Sequence, residues 1–172
     1  MSDPIALLVH DHRRMEKMLE TLFQAPEHDR APLLAEIADT LAAHVAVEEE
    51  HFYPAVRARR TEDILLESLE EHLSLKRVMS DLLDLDTSNP RWEAKMHVLK
   101  EQAEHHHKEE EEHLFPKVQK LFDDAQLDEL GNTMKSALEA LRAEHPRERV
   151  FRRTEEAASL STPDVEPLSA QP

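Results

Sequence analysis

Cysteine is absent from this 172-residue sequence, which excludes disulfides, thiolate metal sites and thiol nucleophiles. Any metal chemistry must therefore be histidine and carboxylate chemistry. Glycine occurs once and aromatic residues make up only 4%. Strands favour β-branched and aromatic side chains, and hairpins favour Gly or Asn-Gly turns, so these shortages argue against sheets. Positive charge is also in deficit: 37 acidic residues against 21 basic ones give a formal net charge of −16, which repels nucleic acid and anionic membrane surfaces. No stretch approaches the roughly 18 consecutive apolar residues of a membrane span. The start, MSDPIALLVHDHRR, carries no basic leader followed by an apolar run. The expectation is a cytoplasmic protein with neither a nucleic-acid nor a membrane partner.

What is abundant is Leu, Ala, Glu, Lys and Arg, the residues of helices, in a chain long enough for one real core. Apolar residues at Ile5, Leu8, Met15, Leu19 and Leu22 recur at helical spacing and predict a first helix opening near Pro4. Ala25, Pro26 and Glu27 to Arg30 read as a break. A second stripe of Leu34, Ile37, Leu41, Phe52 and Ala55 predicts a helix over roughly Pro32 to Arg59. Thr61, with Glu62 and Asp63 behind it, reads as the capped start of a third, which carries Leu65, Leu69, Met79 and Leu82 or Leu83 and ends at the turn Asp86 to Pro90. The fourth carries Trp92, Met96, Leu99, Ala103, Leu114, Val118 and Leu121, to about Phe122. Four long helices with short connections predict an all-α, antiparallel four-helix bundle over residues 1–123.

A fifth amphipathic stretch within 124–145, with Leu127, Leu130, Met134, Leu138 and Leu141 on one face, is expected to pack outside the bundle. Gly131 within it is a place for a kink or a boundary. Residues 146–172 turn basic at Arg147, Arg149, Arg152 and Arg153 and then Pro/Ser-rich, without apolar periodicity. They are expected to form a disordered tail whose arginines pair with the chain's own acids.

The chain also repeats itself. His44-Val-Ala-Val-Glu-Glu-Glu-His-Phe-Tyr-Pro54 returns as His106-His-Lys-Glu-Glu-Glu-Glu-His-Leu-Phe-Pro116, and Asp11-His12 is answered by Glu71-His72. The domain is thus two copies of a helix pair.

Polar residues interrupt the apolar stripes at particular places. The first helix reads 5, 8, 12, 15, 19, 22, with His12 as the polar member; the second reads 34, 37, 41, 44, 48 and closes on His44 and Glu48. His72 falls within the third stripe, and His106 and Glu110 within the fourth. Six ionisable groups therefore point into the core. Burying each charge unpaired costs several kcal/mol against a net stability of about 5–15 kcal/mol. Lys76 alone does not balance two glutamates and leaves the histidines unexplained. A pair of divalent cations accounts for all six: imidazoles supply nitrogen, and the carboxylates bridge and neutralise. If both glutamates bridge, each metal receives two histidines and two carboxylate oxygens, and an oxide or hydroxide bridge leaves a position for a small ligand. Iron or manganese suits such octahedral-tending N/O donors better than tetrahedral structural zinc does.

The remaining histidines have plainer readings. His10, His105 and His107 lie off the stripes and are expected in solvent, while His51 and His113 fall two turns beyond His44 and His106 as second-layer or rim residues. Glu49, Glu50, Glu109, Glu111 and Glu112 read as a charged outer face from which one or two hydrogen-bond the ligands. Tyr53 and Phe115 read as packing residues.

These motifs resemble the hemerythrin, or HHE cation-binding, domain family: Asp/Glu-His in the first and third helices, and His-x-x-x-Glu-Glu with aromatic-Pro in the second and fourth. The resemblance spans roughly Ile5 to Phe122 and implies an up-down-up-down bundle with a di-iron centre held by His12, His44, Glu48, His72, His106 and Glu110. It implies a small diatomic or peroxide ligand: binding, sensing or detoxification of oxygen, peroxide or nitric oxide, with peroxide-consuming or ferroxidase activity as the enzymatic form. Oxygen-carrying members have a further histidine one turn after the third-helix ligand, where this sequence has Lys76. A ferritin-like di-iron carboxylate site is the alternative metal reading, because Glu48 with His51 and Glu110 with His113 spell ExxH. A metal-free helical adaptor is the reading from another class.

Overall fold

The computed structural model describes residues 2–160. Helix α1, Pro4–Gln24, is opened by Asp3, whose side chain accepts the Ile5 N–H at 2.9 Å, with Pro4 at the first helical position. Helix α2, Glu27–Val47, begins earlier than its apolar stripe suggests. Glu27 to Arg30, expected to break the chain, form its first turn; acids are at home at the positive end of a helix, and Pro32 lies inside. Helix α3 is Glu62–Asp84 and α4 is Pro90–Glu109. Thr61 does not cap α3. Its hydroxyl accepts the Ala58 N–H at 2.8 Å and donates to Val56 O at 2.9 Å, closing the preceding loop.

Both α2 and α4 run on into a π turn, Glu48–Phe52 and Glu110–Leu114, and then into short α segments, Tyr53–Ala55 and Phe115–Leu121. The Tyr53 and Phe115 N–H groups donate to the carbonyls of Glu48 and Glu110, five residues back. The pattern-based expectation was uninterrupted α-helix here. A π turn advances less per residue, so the side chains that follow come onto different faces.

The four long helices pack as an all-α up-down-up-down bundle, α1 against α2 and α4, and α3 against α2 and α4. The stripe residues Ile5, Leu8, Met15, Leu19 and Leu22 are buried, as are Leu34, Ile37 and Leu41, Leu65, Leu69 and Met79, and Met96, Leu99 and Ala103. No helix of the described residues is long and apolar enough to cross a membrane.

Helix α5, Asp124–Ala143, opens on a reciprocal Asp123–Gln126 capping box and lays Leu130, Met134, Leu138 and Leu141 against α1 and α2. Gly131 makes neither a kink nor a boundary. It lets the N-terminal backbone cross: a Cβ there would lie 1.6 Å from Ser2 O. The tail expected to be disordered from residue 146 instead forms a short helix α6, Arg147–Phe151, that buries Val150 and Phe151 against α2 and α3. Arg147 pairs with Asp39 of α2 and Arg149 with Glu50 of the first π turn, so two of the four arginines neutralise acids of the bundle. Residues 161–172, the rest of that expected tail, lie outside the described residues.

Candidate metal centre

His12 from α1, His44 from α2, Glu48 at the head of the first π turn, His72 from α3, His106 from α4 and Glu110 at the head of the second π turn meet in the bundle interior, each at most 1% exposed. Their donor atoms fall into two sets. His12, His44, Glu48 and Glu110 form one and Glu48, His72 and His106 the other, each spanning no more than 4.8 Å between donors. Glu48 belongs to both. Its Oε1 lies 3.3 Å from His44 Nε2 and its Oε2 lies 3.2 Å from His72 Nε2. Glu110 Oε2 lies 3.3 Å from His12 Nε2 and 3.6 Å from His106 Nε2.

Carboxylates behind the rings decide which nitrogen faces inward. His12 Nδ1 donates to Glu111 at 2.9 Å, His72 Nδ1 to Glu49 at 3.1 Å and His106 Nδ1 to Glu71 at 2.7 Å. Each ring then presents the Nε2 lone pair to the interior. Two of those nitrogens, on His72 and His106, are 3.0 Å apart. Lone pairs so placed repel unless something positive lies between them. The buried atoms His12 Nε2, His44 Nε2, both Glu48 oxygens and Glu110 Oε2 have no hydrogen-bond partner, although burial ordinarily demands one. Converging, unpartnered nitrogen and oxygen donors are what a metal centre requires, and the cluster fits one.

The titration behaviour has the same origin. Burial, and then the Glu110 carboxylate, push the Glu48 carboxyl well above its usual range. Glu110 goes the other way: burial opposes its ionisation, but His106 and His12 outweigh it and hold the group low. Burial pulls His106 down, and Glu110 and Glu71 more than reverse this and raise it. His44 is lowered well below the ordinary imidazole range by burial and then by His12.

The two halves of the repeat are not equivalent. Glu71 backs His106, but its counterpart Asp11 is taken by Arg142 of α5, whose Nη2 donates to both oxygens at 2.6 and 2.8 Å. His44 Nδ1 is without a partner. Tyr53 and Phe115 also correspond, yet only Tyr53 carries a hydroxyl. Its Oη donates to Glu110 Oε1 at 2.9 Å and lies 3.2 Å from His72 Nε2. The π turn puts it there, by setting residue 53 rather than 52 one turn beyond Glu48. Sequence reasoning assigned Tyr53 to packing and missed Glu71 as a backing group; the Glu71-His72 pairing in the repeat was the available signal.

His10 and His105 are exposed, as the stripes imply. His107 is not. It is 2% exposed, stacks on His12 with ring centroids 3.9 Å apart, and forms with His12 and His44 a third set of donors within 4.8 Å. It lies inside because α1 covers the flank of α4 next to the stripe, which periodicity on α4 alone does not reveal. His51 and His113 join none of the donor sets found among the described residues, and the His113 side chain is 54% exposed, beside Glu109. The ExxH arrangement is therefore not assembled.

Residues 3–118 match the family model described as the hemerythrin HHE cation binding domain. No curated protein sequence matches the chain. Among solved structures, the crystal structure of a hemerythrin HHE cation binding domain-containing protein from Mycobacterium kansasii is similar, with a TM-score of 0.76 at 24% identity over 90% of this chain and 96% of that one. At that identity the likeness is one of fold.

Proposed function

This chain belongs to the hemerythrin HHE cation-binding domain family, and we propose that its buried cluster holds two iron ions and consumes peroxide. The observation that carries the reading is the disposition of Glu48, whose two oxygens address different histidines and so serve both donor sets. His12, His44, Glu48 and Glu110 would hold one ion, and Glu48, His72 and His106 the other. Nitrogen-rich N/O donors suit iron, with manganese the lesser fit. Bound iron would supply a redox couple and Lewis-acidic positions open to a small ligand such as peroxide, dioxygen or nitric oxide.

The protein's own contribution is orientation, exclusion of water and a proton. Glu111, Glu49 and Glu71 hold three of the imidazoles with Nε2 inward. Tyr53 and Phe115 are buried beside the cluster, with ring centroids 5.4 Å from His72 and 6.0 Å from His12 respectively. Burial, and then Glu110, push the Tyr53 phenol well above its usual range, so Oη keeps its proton at neutral pH and can lend it to a developing hydroxide. Two peroxides give two waters and one dioxygen, a balance that needs no outside reductant. Lys76 is committed to Glu49 and adds no donor to the cluster, which favours consumption over reversible storage.

The test is metal analysis with an absorption spectrum, taken anaerobically as the ferrous form and again after air, followed by peroxide addition with an oxygen electrode. Two irons per chain, a near-ultraviolet band after oxidation and oxygen release are expected. A folded protein that takes up neither iron nor manganese sinks the metal reading, as the adaptor hypothesis would require, and iron without oxygen release sinks the enzymatic one.

A further inference from the structure

His107 is the one buried imidazole of the cluster region that the proposed ligand set does not use. Burial of an imidazole with no hydrogen bond on either nitrogen is unfavourable, and neither His107 Nδ1 nor Nε2 has one. Glu16 Oε1 is the nearest acid, 3.7 Å from Nδ1 and held by Arg13. The repeat sharpens the point. His107 follows His106 as Val45 follows His44, and Val45 is a wholly buried apolar residue. One half of the molecule fills this core position with a methyl-bearing side chain, and the other fills it with an unpartnered donor.

His107 also has two neighbourhoods. Inward, its donors lie within 4.8 Å of those of His12 and His44. Outward, it lines a surface cavity of about 190 Å³ whose wall carries Glu16, Glu104, Glu111 and Glu112. Arg13 and Lys108 share that wall, leaving four carboxylates against two cations, and Arg13 is itself occupied by Glu16 and Glu111. A surplus of negative charge at a cavity mouth raises the local concentration of cations.

We infer that His107, His12 and His44 form a loading station for a divalent first-row cation such as Fe²⁺, reached from the acidic cavity between α1 and α4. This rests on the metal reading of the preceding subsection. The station and the inner set share His12 and His44, so a cation passes inward by exchanging His107 for Glu48 and Glu110. That exchange replaces a neutral ligand with two carboxylates. Coulomb attraction in the interior makes the inner position the tighter one and gives the transfer its direction. His107 is thus a transient ligand that controls the rate of filling and leaves the final occupancy alone.

The experiment is stopped-flow uptake of Co²⁺ by the full-length, chelator-stripped chain, followed through the visible ligand-field absorption. His107→Phe keeps the ring volume and the stack on His12 but removes both donors. It is expected to reach the wild-type number of Co²⁺ per chain and the wild-type final spectrum at least tenfold more slowly, and to release Co²⁺ to excess chelator more slowly by a similar factor. The Glu16→Gln, Glu104→Gln double variant, altered only at the cavity wall, is expected to slow uptake several-fold at low salt. Wild-type uptake rates in His107→Phe overturn the inference, or in the wall variant should His107→Phe not fold. Loss of a Co²⁺ equivalent in His107→Phe also overturns it, by making His107 a resident ligand. A wild-type chain that takes up no metal at all instead removes the metal reading beneath it.

Discussion

The Lys76 ammonium donates to both carboxylate oxygens of Glu49, at 2.7 and 2.8 Å, in a position where Lys76 is only 3% exposed. Glu49 Oε1 in turn accepts the His72 Nδ1–H, so a lysine on α3 orients a histidine of its own helix through a carboxylate of the first π turn. Burial works against the Glu49 charge, but His72 and Lys76 prevail and hold the group below its usual range. Lys76→Met leaves that carboxylate buried without its cation and is expected to cost about 3 kcal/mol of stability and to weaken metal binding about tenfold or more. Adding Glu49→Gln should restore most of the stability and none of the affinity. Urea unfolding and competition with a metal chelator measure the two effects separately, and loss and recovery of both together would contradict the relay.

Tyr53→Phe removes one hydroxyl at the inner cluster and leaves its packing with Phe52 in place. Metal content should stay at the wild-type level, while oxygen release from peroxide falls by about 10²-fold or more, the usual weight of a positioned proton donor. Undiminished turnover at full metal content would remove the phenol from the mechanism.

The pH dependence of His107 has a definite sign. Burial, and then His12, lower its pKa well below the ordinary imidazole value, so the folded chain keeps it neutral while the unfolded chain protonates it. A group depressed in this way contributes stability that is present above its unfolded pKa, about 6.5, and lost as the pH falls below it. Other buried groups titrate in the same range, but His107→Phe cancels them in the difference. In chelator-treated protein, the stability of His107→Phe relative to the wild type should therefore rise between pH 7.5 and pH 5.5, as read by urea titration at both. A difference independent of pH would mean that the folded His107 protonates as readily as the unfolded one.

Gly131→Ala should destabilise the protein by about 1–3 kcal/mol despite alanine's better helix propensity, because the new methyl group meets the Ser2 backbone carbonyl. Deleting the first three residues together with the substitution should recover part of the loss. Thermal unfolding of the two variants decides it; a more stable Gly131→Ala would show that the N-terminal segment does not hold that crossing.

Much of the site was legible without coordinates because a buried charge has few causes. The interruption of apolar stripes by His12, His44, Glu48, His72, His106 and Glu110 carried both their inward direction and the need for positive charge, and all six do meet in the interior. Helix starts were less legible. The polar first turn of α2 and the Thr61 loop closure involve residues whose local preference suits a loop and a helix equally well. The helical segment Arg147–Phe151 was unreadable for another reason: five residues carry no period, and its stability comes from Phe151 and Val150 finding the bundle.

The amino-acid order by itself determined which stripe of each long helix turns inward up to the π turns, because helical periodicity is a property of one segment and survives whatever packs against it. It determined the twofold repeat and the chemistry of the buried layer for the same reason. Only the tertiary structure decided which carboxylate backs which imidazole, that Asp11 pairs with Arg142 of α5, that π turns bring Tyr53 to the centre, and that His107 lies under α1. Each of these depends on how far one helix is rotated and shifted against another, a quantity set by the sum of all the packing contacts and written in no single stretch of the chain.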